Sequence, residues 1–278
     1  MSKTGSRRFQ LHGVARSGVV LLRMTRATPA PALLNWSGGK DSALALYHAL
    51  RNPGLQVTTL LTSVNAHYGR VSMHGVRVEL LEAQARRIGL PLTKLELPEM
   101  PDMAEYEQRM RATLAPLQAQ GIQHSIFGDI YLEDLRRYRE QQLAQLGMQA
   151  VFPLWQRPAA DLLREYLDLG FRAVVVCVNE KFLDSSFCGR LLNEEFLRDL
   201  PAGVDACGEN GEYHSFVFNA PYFSSPIPFE RGELVRRTYQ APASSAATCP
   251  GPDDEPANSP FATGFWYCDL LPVGPAAP

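Results

Sequence analysis

The chain has 278 residues, 45% hydrophobic, 20% charged and 9% aromatic, the profile of a globular protein and not of a disordered, collagenous or coiled-coil chain. Its length suits one large domain, or one domain with an appendage, and buries a sizeable core without staples. Basic residues number 27 and acidic ones 29, for a net charge of -2, so no global basic field exists to hold a nucleic-acid backbone, and nucleic acid is not an expected partner.

Residues 1–31 carry Arg7, Arg8, Arg16, Arg23 and Arg26 and no acid. They read as a disordered or mis-called leader; a start at Met24 and an organelle transit peptide are the other readings. The first strand is expected at Ala32–Trp36, followed by the glycine turn Ser37-Gly38-Gly39-Lys40-Asp41-Ser42. A helix pattern follows over Ala43–Leu50 and stops at Asn52-Pro53-Gly54. Strands are expected at Gln56–Val64, Leu92–Leu97, Gln123–Phe127, Gln149–Pro153 and Arg172–Val178. Helices fit Val76–Ile88, Asp102–Gln120, Glu133–Leu146 and Pro158–Leu169 between them.

This alternation predicts an α/β fold, a parallel sheet with helices on both faces. The near-continuous β-branched run Arg172–Val178 suits a strand buried on both faces. Ligands of such sheets sit beyond the carboxyl ends of the strands, which would gather the loops after Trp36, Phe127 and Val178. Residues 240–260 are rich in Pro, Ser and Ala and read as a low-complexity loop, and a last strand is expected within 261–278. No internal repeat is visible. Cys177, Cys188, Cys207, Cys249 and Cys268 form no CxxC pair and read as scattered thiols of a reducing cytoplasm. No apolar run approaches the roughly 18 residues of a membrane span.

Four segments carry chemistry. In Ser37–Ser42, glycines let the backbone approach a ligand, while the helix start, two hydroxyls and Lys40 make a phosphate cradle distinct from GxxxxGK[ST]. In the second, Gly128-Asp129 follows a strand end and should point into the same cleft, with Glu133–Glu140 continuing on a helix where Arg136 and Glu140 pair. The third, Pro153-Leu154-Trp155, is either plain core or an aromatic wall. The fourth is Cys207-Gly208-Glu209-Asn210-Gly211-Glu212-Tyr213-His214. It is either a polar loop reaching a ligand, for acid–base work or a metal, or a plain turn between strands.

SGGKDS resembles the pyrophosphate loop of the adenine nucleotide α-hydrolase-like, or PP-loop, ATP pyrophosphatases. The order SGGKDS, GDI with its following charges, PLW and Gly-Glu-x-Gly-Glu before an aromatic resembles the diphthine–ammonia ligase family, over about Leu33–Phe223. Val71-Ser-Met-His-Gly75, Cys-Gly-Glu-Asn-Gly-Glu and His214 look like its bacterial branch. The resemblance implies a Rossmann-like nucleotide-binding domain over 32–151 and a smaller α+β acceptor-binding region over 152–239. It implies AMP-forming amidation with ATP, Mg²⁺ and ammonium. The acceptor would be a carboxylate, either protein-bound diphthine or a cobalamin-related small molecule. It places ATP on Ser37, Gly38, Gly39, Lys40, Asp41, Ser42 and His74, with Asp41 on the metal. It places the acceptor on Gly128, Asp129, Trp155, Glu209, Glu212 and His214, and catalysis on Lys40, Asp41, Asp129 and Glu212. The expected setting is cytoplasmic, with room for a homodimer. An RNA-modifying enzyme and a non-catalytic nucleotide-binding module are the rival readings.

Overall fold

The computed structural model describes residues 28–71, 75–98, 102–239 and 263–274. His74, Cys249, the segment 240–260 and most of the expected leader lie outside them. The first strand, β1 (Ala30–Asn35), begins two residues earlier than expected, because Ala30 already donates to the Gly54 carbonyl.

Four strands after β1 complete a parallel sheet: β2 (Leu55–Asn65), β4 (Leu92–Leu97), β5 (His124–Ile126) and β6 (Gln149–Val151). The order is β4-β2-β1-β5-β6, and the short β3 (Arg70–Val71) turns back antiparallel on the end of β2. Alternating side chains leave the sheet on opposite faces. Ala32, Leu34 and Leu60 enter one core with α1 (Lys40–Arg51) and α2 (Val78–Ile88). Leu33 and Leu61 enter another with α3 (Met103–Ala119) and α4 (Glu133–Ala144). Both faces are therefore covered by helices, as the strand–helix alternation requires. Local chemistry sets the ends: Asp102 caps α3 by accepting from the Glu105 amide, and Gly89 ends α2 with a left-handed φ of 80°.

The chain leaves β1 toward β2 on one side and reaches β5 on the other. The β1–β5 boundary is thus the point where the strand order reverses, and the loops after these two strands open a crevice there.

The Arg172–Val178 run departs from expectation. It forms β7 (Arg172–Asn179), which follows α5 (Ala159–Asp168) but does not join the parallel sheet. It lies in a second, antiparallel sheet of order β8-β7-β10-β9, with β8 (Tyr213–Asn219), β9 (Phe229–Tyr239) and β10 (Thr263–Pro272). A continuous apolar run marks burial on both faces but says nothing of its neighbours' direction. A short 3-10 turn (Ser185–Phe187) and α6 (Glu194–Asp199) lie between β7 and β8. β8 lies at an edge of its sheet, and that edge meets the loop after β1: Val217 donates to the Gly38 carbonyl at 2.9 Å. The site forms at this junction.

Candidate active site

The loop Ser37–Ser42 runs straight into α1, which starts at Lys40 inside the motif and not at Ala43. Gly39 stands at the cap without a side-chain acceptor, so the opening turn keeps amide donors that a helix cannot satisfy internally. Ser37 Oγ donates to Ser42 Oγ at 3.1 Å and accepts the Gly39 amide at 3.3 Å; Ser42 Oγ bonds back to the Gly39 carbonyl. The hydroxyls hold the loop's shape and leave its concave backbone facing the crevice.

Gly38 has a φ of 79°, and a Cβ there would lie 2.8 Å from Gln84 Oε1. Gln84, fully buried on α2, is the residue the motif reading missed. It accepts from Trp36 Nε1 at 2.8 Å and donates to the carbonyls of Gly38 at 3.0 Å and Val217 at 2.7 Å. One amide thereby staples strand β1, the glycine loop and β8 together. The sequence held a signal: Gln84 is the polar member of the apolar stripe Leu80, Leu81, Ala85. Replacing Gln84 by Leu should leave the buried Val217 carbonyl and the Trp36 indole N–H unpaired, while the Gly38 carbonyl keeps its bond from the Val217 amide, and cost about 3 kcal/mol. Denaturant titration with an unchanged m value checks this.

Lys40 is buried, and its Nζ donates to Asp41 Oδ2 at 2.8 Å. It also sits 5.1 Å from the centre of the Tyr213 ring. Burial opposes the ammonium, but Asp41, with Tyr213 and Cys207, outweighs it and holds Lys40 protonated. The Lys40 amide donates to Ser215 Oγ at 3.2 Å, so β8 presents both Tyr213 and Ser215 to this loop. The Asp41 side chain is 32% exposed.

The second loop closes on the first. A Cβ on Gly128 would lie 2.8 Å from the Asp41 carbonyl carbon and 2.9 Å from the Ser42 nitrogen, so only glycine lets the two backbones touch. Asp129 is buried beside Arg139 of α4, whose Nε lies 2.7 Å from Oδ2 and whose Nη2 donates to Oδ1 at 3.1 Å. Burial raises the Asp129 carboxyl, and Arg139 opposes that rise. Arg139 also covers Phe127, which stacks on Phe152; Phe152 touches Trp155, and Arg136 lies 4.6 Å from the Trp155 ring centre. Trp155 therefore belongs to an aromatic strip capped by guanidinium groups. The strip is tied to the site by Gln156, which has a φ of 56° and donates to the Ile130 carbonyl at 2.7 Å.

The third loop divides its residues. Glu209 Oε1 accepts the Ile130 amide at 2.7 Å, which brings it to the Gly128-Asp129 loop. Burial, with Asp41 and Asp129 adding and the Ile130 bond and Lys40 opposing, pushes its carboxyl up to about 7. Glu212, by contrast, is buried and spends its carboxylate on the loop itself, accepting from the Asp205 amide and from the amide and side chain of Asn210. These bonds hold the shape of the loop. His214 falls between Tyr213 and Ser215 on β8, so the pleat sends it to the face opposite the Lys40 contacts. Burial, then Lys40, holds its imidazole down to about 4, so it is neutral at pH 7.

The four cysteines among the described residues are buried thiols. Burial pushes Cys177 and Cys207 up to about 12 and raises Cys188 and Cys268 as well, which is the opposite of what a nucleophilic thiolate needs. Among the described residues no three side chains gather as a metal site, and no helix is long and apolar enough to cross a membrane. Magnesium is ordinarily held by one or two carboxylates together with substrate phosphates, so the accessible Asp41 fits that ion as a single protein ligand.

Both halves of the chain match known proteins in sequence. Residues 31–150 match the model of the diphthamide synthase N-terminal domain, and residues 158–239 match that of the diphthamide synthase C-terminal domain. The human diphthine–ammonia ligase is 34% identical over 116 residues, 40% of this chain and 43% of that protein. The zebrafish (Danio rerio) diphthine–ammonia ligase is 34% identical over 113 residues, 37% of this chain and 43% of its own. The chain thus matches less than half the length of these relatives. Among solved structures, the tRNA thiolase NcsA of Methanococcus maripaludis, with its 4Fe-4S cluster, aligns over 53% of this chain and 60% of its own at 15% identity and a TM-score of 0.33. With the two domain models spanning more than two thirds of its length, the chain belongs to the diphthamide synthase family.

Proposed function

We propose that the chain is an ATP-dependent amide ligase that adenylates a carboxylate and passes the acyl group to ammonia. The observation that carries this reading is the contact of the Ser37–Ser42 and Gly128–Asp129 loops at the point where the strand order reverses, with the buried Lys40 ammonium beneath it. Backbone donors and a fixed cation aimed at the departing pyrophosphate act in a site of low dielectric, where each is worth about 3 kcal/mol of transition-state stabilisation. Within the loop, the backbone amides of Gly38, Asp41 and Ser42 would hold the β and γ phosphates, those of Gly39 and Lys40 being bonded to Ser37 and Ser215, with the Lys40 ammonium neutralising the charge. Asp41 would hold Mg²⁺, which supplies further neutralisation of the phosphates when bound. Gly128 admits the nucleotide's α-phosphate to the crevice floor, and the acceptor lies along Asp129 and Trp155.

The acceptor carboxylate oxygen attacks the α-phosphorus and pyrophosphate leaves. Ammonia then attacks the acyl carbon, the carbon–oxygen bond to AMP breaks, and AMP leaves with that electron pair. Glu209 is placed to take a proton from the attacking nitrogen. A base with a carboxyl near 7 works best close to neutral pH, so amidation should rise as pH passes through about 7. Stability moves the other way. The folded state holds the Glu209 proton between 4.5, its ordinary value, and about 7, so the protein loses stability as pH rises through that window. Glu209→Gln should lose both slopes, which a pH–rate profile and pH-dependent denaturation detect.

The name of the relatives makes diphthine-bearing elongation factor the first acceptor to try, with corrinoid carboxylates next. The chain is incubated with ATP, Mg²⁺, ammonium and each acceptor, and nucleotide products are resolved. Acceptor-dependent AMP and pyrophosphate, lost in Asp41→Ala, are expected. ADP and inorganic phosphate as products would overturn the reading.

A further inference from the structure

On the α3–α4 side of the sheet, at the carboxyl ends of β1 and β5, lies a cavity of about 60 Å³. Asn35 lines its floor, and Tyr106, Met110 and Tyr138 line its walls. It shares Phe127 and Arg139 with the site: Arg139 pairs with Asp129, and Phe127 stacks on the aromatic strip that holds Trp155. The cavity therefore backs onto the acceptor crevice. That volume holds about two or three molecules the size of water.

Its chemistry is narrow. Arg139 is balanced by Asp129, and Arg111 lies 3.9 Å from Glu107, so no unbalanced charge calls for an anion. Asn35 spends its amide on Ser125 and the Ile126 carbonyl. The Tyr138 hydroxyl is buried at the cavity and has no hydrogen-bond partner, and burial keeps it protonated. A buried hydroxyl left unpaired costs free energy until a small polar guest accepts from it. The guest must be small, uncharged and a hydrogen-bond acceptor.

We propose that this cavity is the ammonia site of the ligase, the place where free ammonia waits and from which it reaches the acyl carbon. The inference rests on the amide-ligase reading above. Guanidinium groups and apolar walls favour ammonia over ammonium. Ammonium gives up one proton to bulk water on entry; the nitrogen attacks and gives up a second to Glu209 as AMP leaves. Two protons are released, and two hydrogens stay in the amide.

Two variants test it, Met110→Trp, which fills the cavity, and Tyr138→Phe, which removes the waiting hydroxyl. Each is assayed twice with the same acceptor: acceptor-dependent exchange of pyrophosphate into ATP, which needs no ammonia, and amide formation against ammonium concentration. The expected result is exchange unchanged in both, with the ammonium KM raised about tenfold in Met110→Trp and less in Tyr138→Phe. An unchanged ammonium KM with exchange intact would overturn the ammonia site. Loss of exchange in both would also overturn it, because the cavity would then serve adenylation. Absence of acceptor-dependent exchange in the unaltered protein would instead sink the ligase reading itself.

Discussion

Gly128→Ala should lower kcat/KM for AMP formation by about 10² to 10³, while the protein still folds. The added methyl meets backbone on both sides, the Asp41 carbonyl carbon at 2.8 Å and the Ser42 nitrogen at 2.9 Å. Neither is the end of a flexible side chain that could swing away. The Gly128 loop must then back off from the helix start that bears the proposed phosphate donors, and misplacement by about 1 Å costs roughly two orders of magnitude in rate. The stability cost of such overpacking is about 1–3 kcal/mol. Gly54→Ala is the control: its Cβ would meet nothing nearer than the Asn52 side chain at 3.3 Å, and activity should hold. Steady-state kinetics with a melting curve for each variant separates the effects. Wild-type rates in Gly128→Ala would mean that the two loops do not work as one site.

Lys40→Met should have the larger effect on chemistry, a fall in AMP formation of about 10³ or more. The ammonium is enclosed, its pairing with Asp41 keeps it charged, and it stands at the start of α1, where the proposed reaction has the departing pyrophosphate gather negative charge. Water cannot substitute for it in a buried position. Its loss leaves Asp41 without a partner, but that carboxylate is 32% exposed and can be hydrated, so the stability change should stay near 1 kcal/mol. The contrast between a large rate effect and a small stability effect is what distinguishes a working cation from a structural one. Circular dichroism melting alongside rapid-quench assays measures both.

The glycine loop was legible because strand, turn and helix are written in adjacent residues, each with its own local signal. Asp129 was legible for the same reason, as the residue after a strand end. Arg139 was visible as a charge on a helix, but its pairing with Asp129 depends on α4 turning back over the loop, which spacing alone does not reveal. Glu212 and His214 show the limit most clearly. Composition identified a polar loop beside a strand, yet which residues face the crevice is set by the pleat of β8 and its register on β7, Val178 opposite Tyr213 and Cys177 opposite His214. A one-residue difference reverses every side chain. The second sheet was expected only as a smaller α+β region over 152–239 with a terminal strand; that β7 belongs to it was not legible, because β7 reads like any strand buried on both faces, and its partner β10 comes more than eighty residues later, beyond a low-complexity stretch. Gln84 was hidden by position, a polar residue on a stripe whose purpose is visible only once β8 lies against the glycine loop.

The most direct test of the central claim follows the oxygen. An acceptor whose carboxylate carries a heavy-oxygen label is incubated with the chain, ATP, Mg²⁺ and ammonium, and the nucleotide products are examined by mass spectrometry. Attack of the carboxylate on the α-phosphorus predicts one labelled oxygen in AMP for each amide formed, and none in pyrophosphate. Label in inorganic phosphate, or unlabelled AMP alongside amide, would contradict the account.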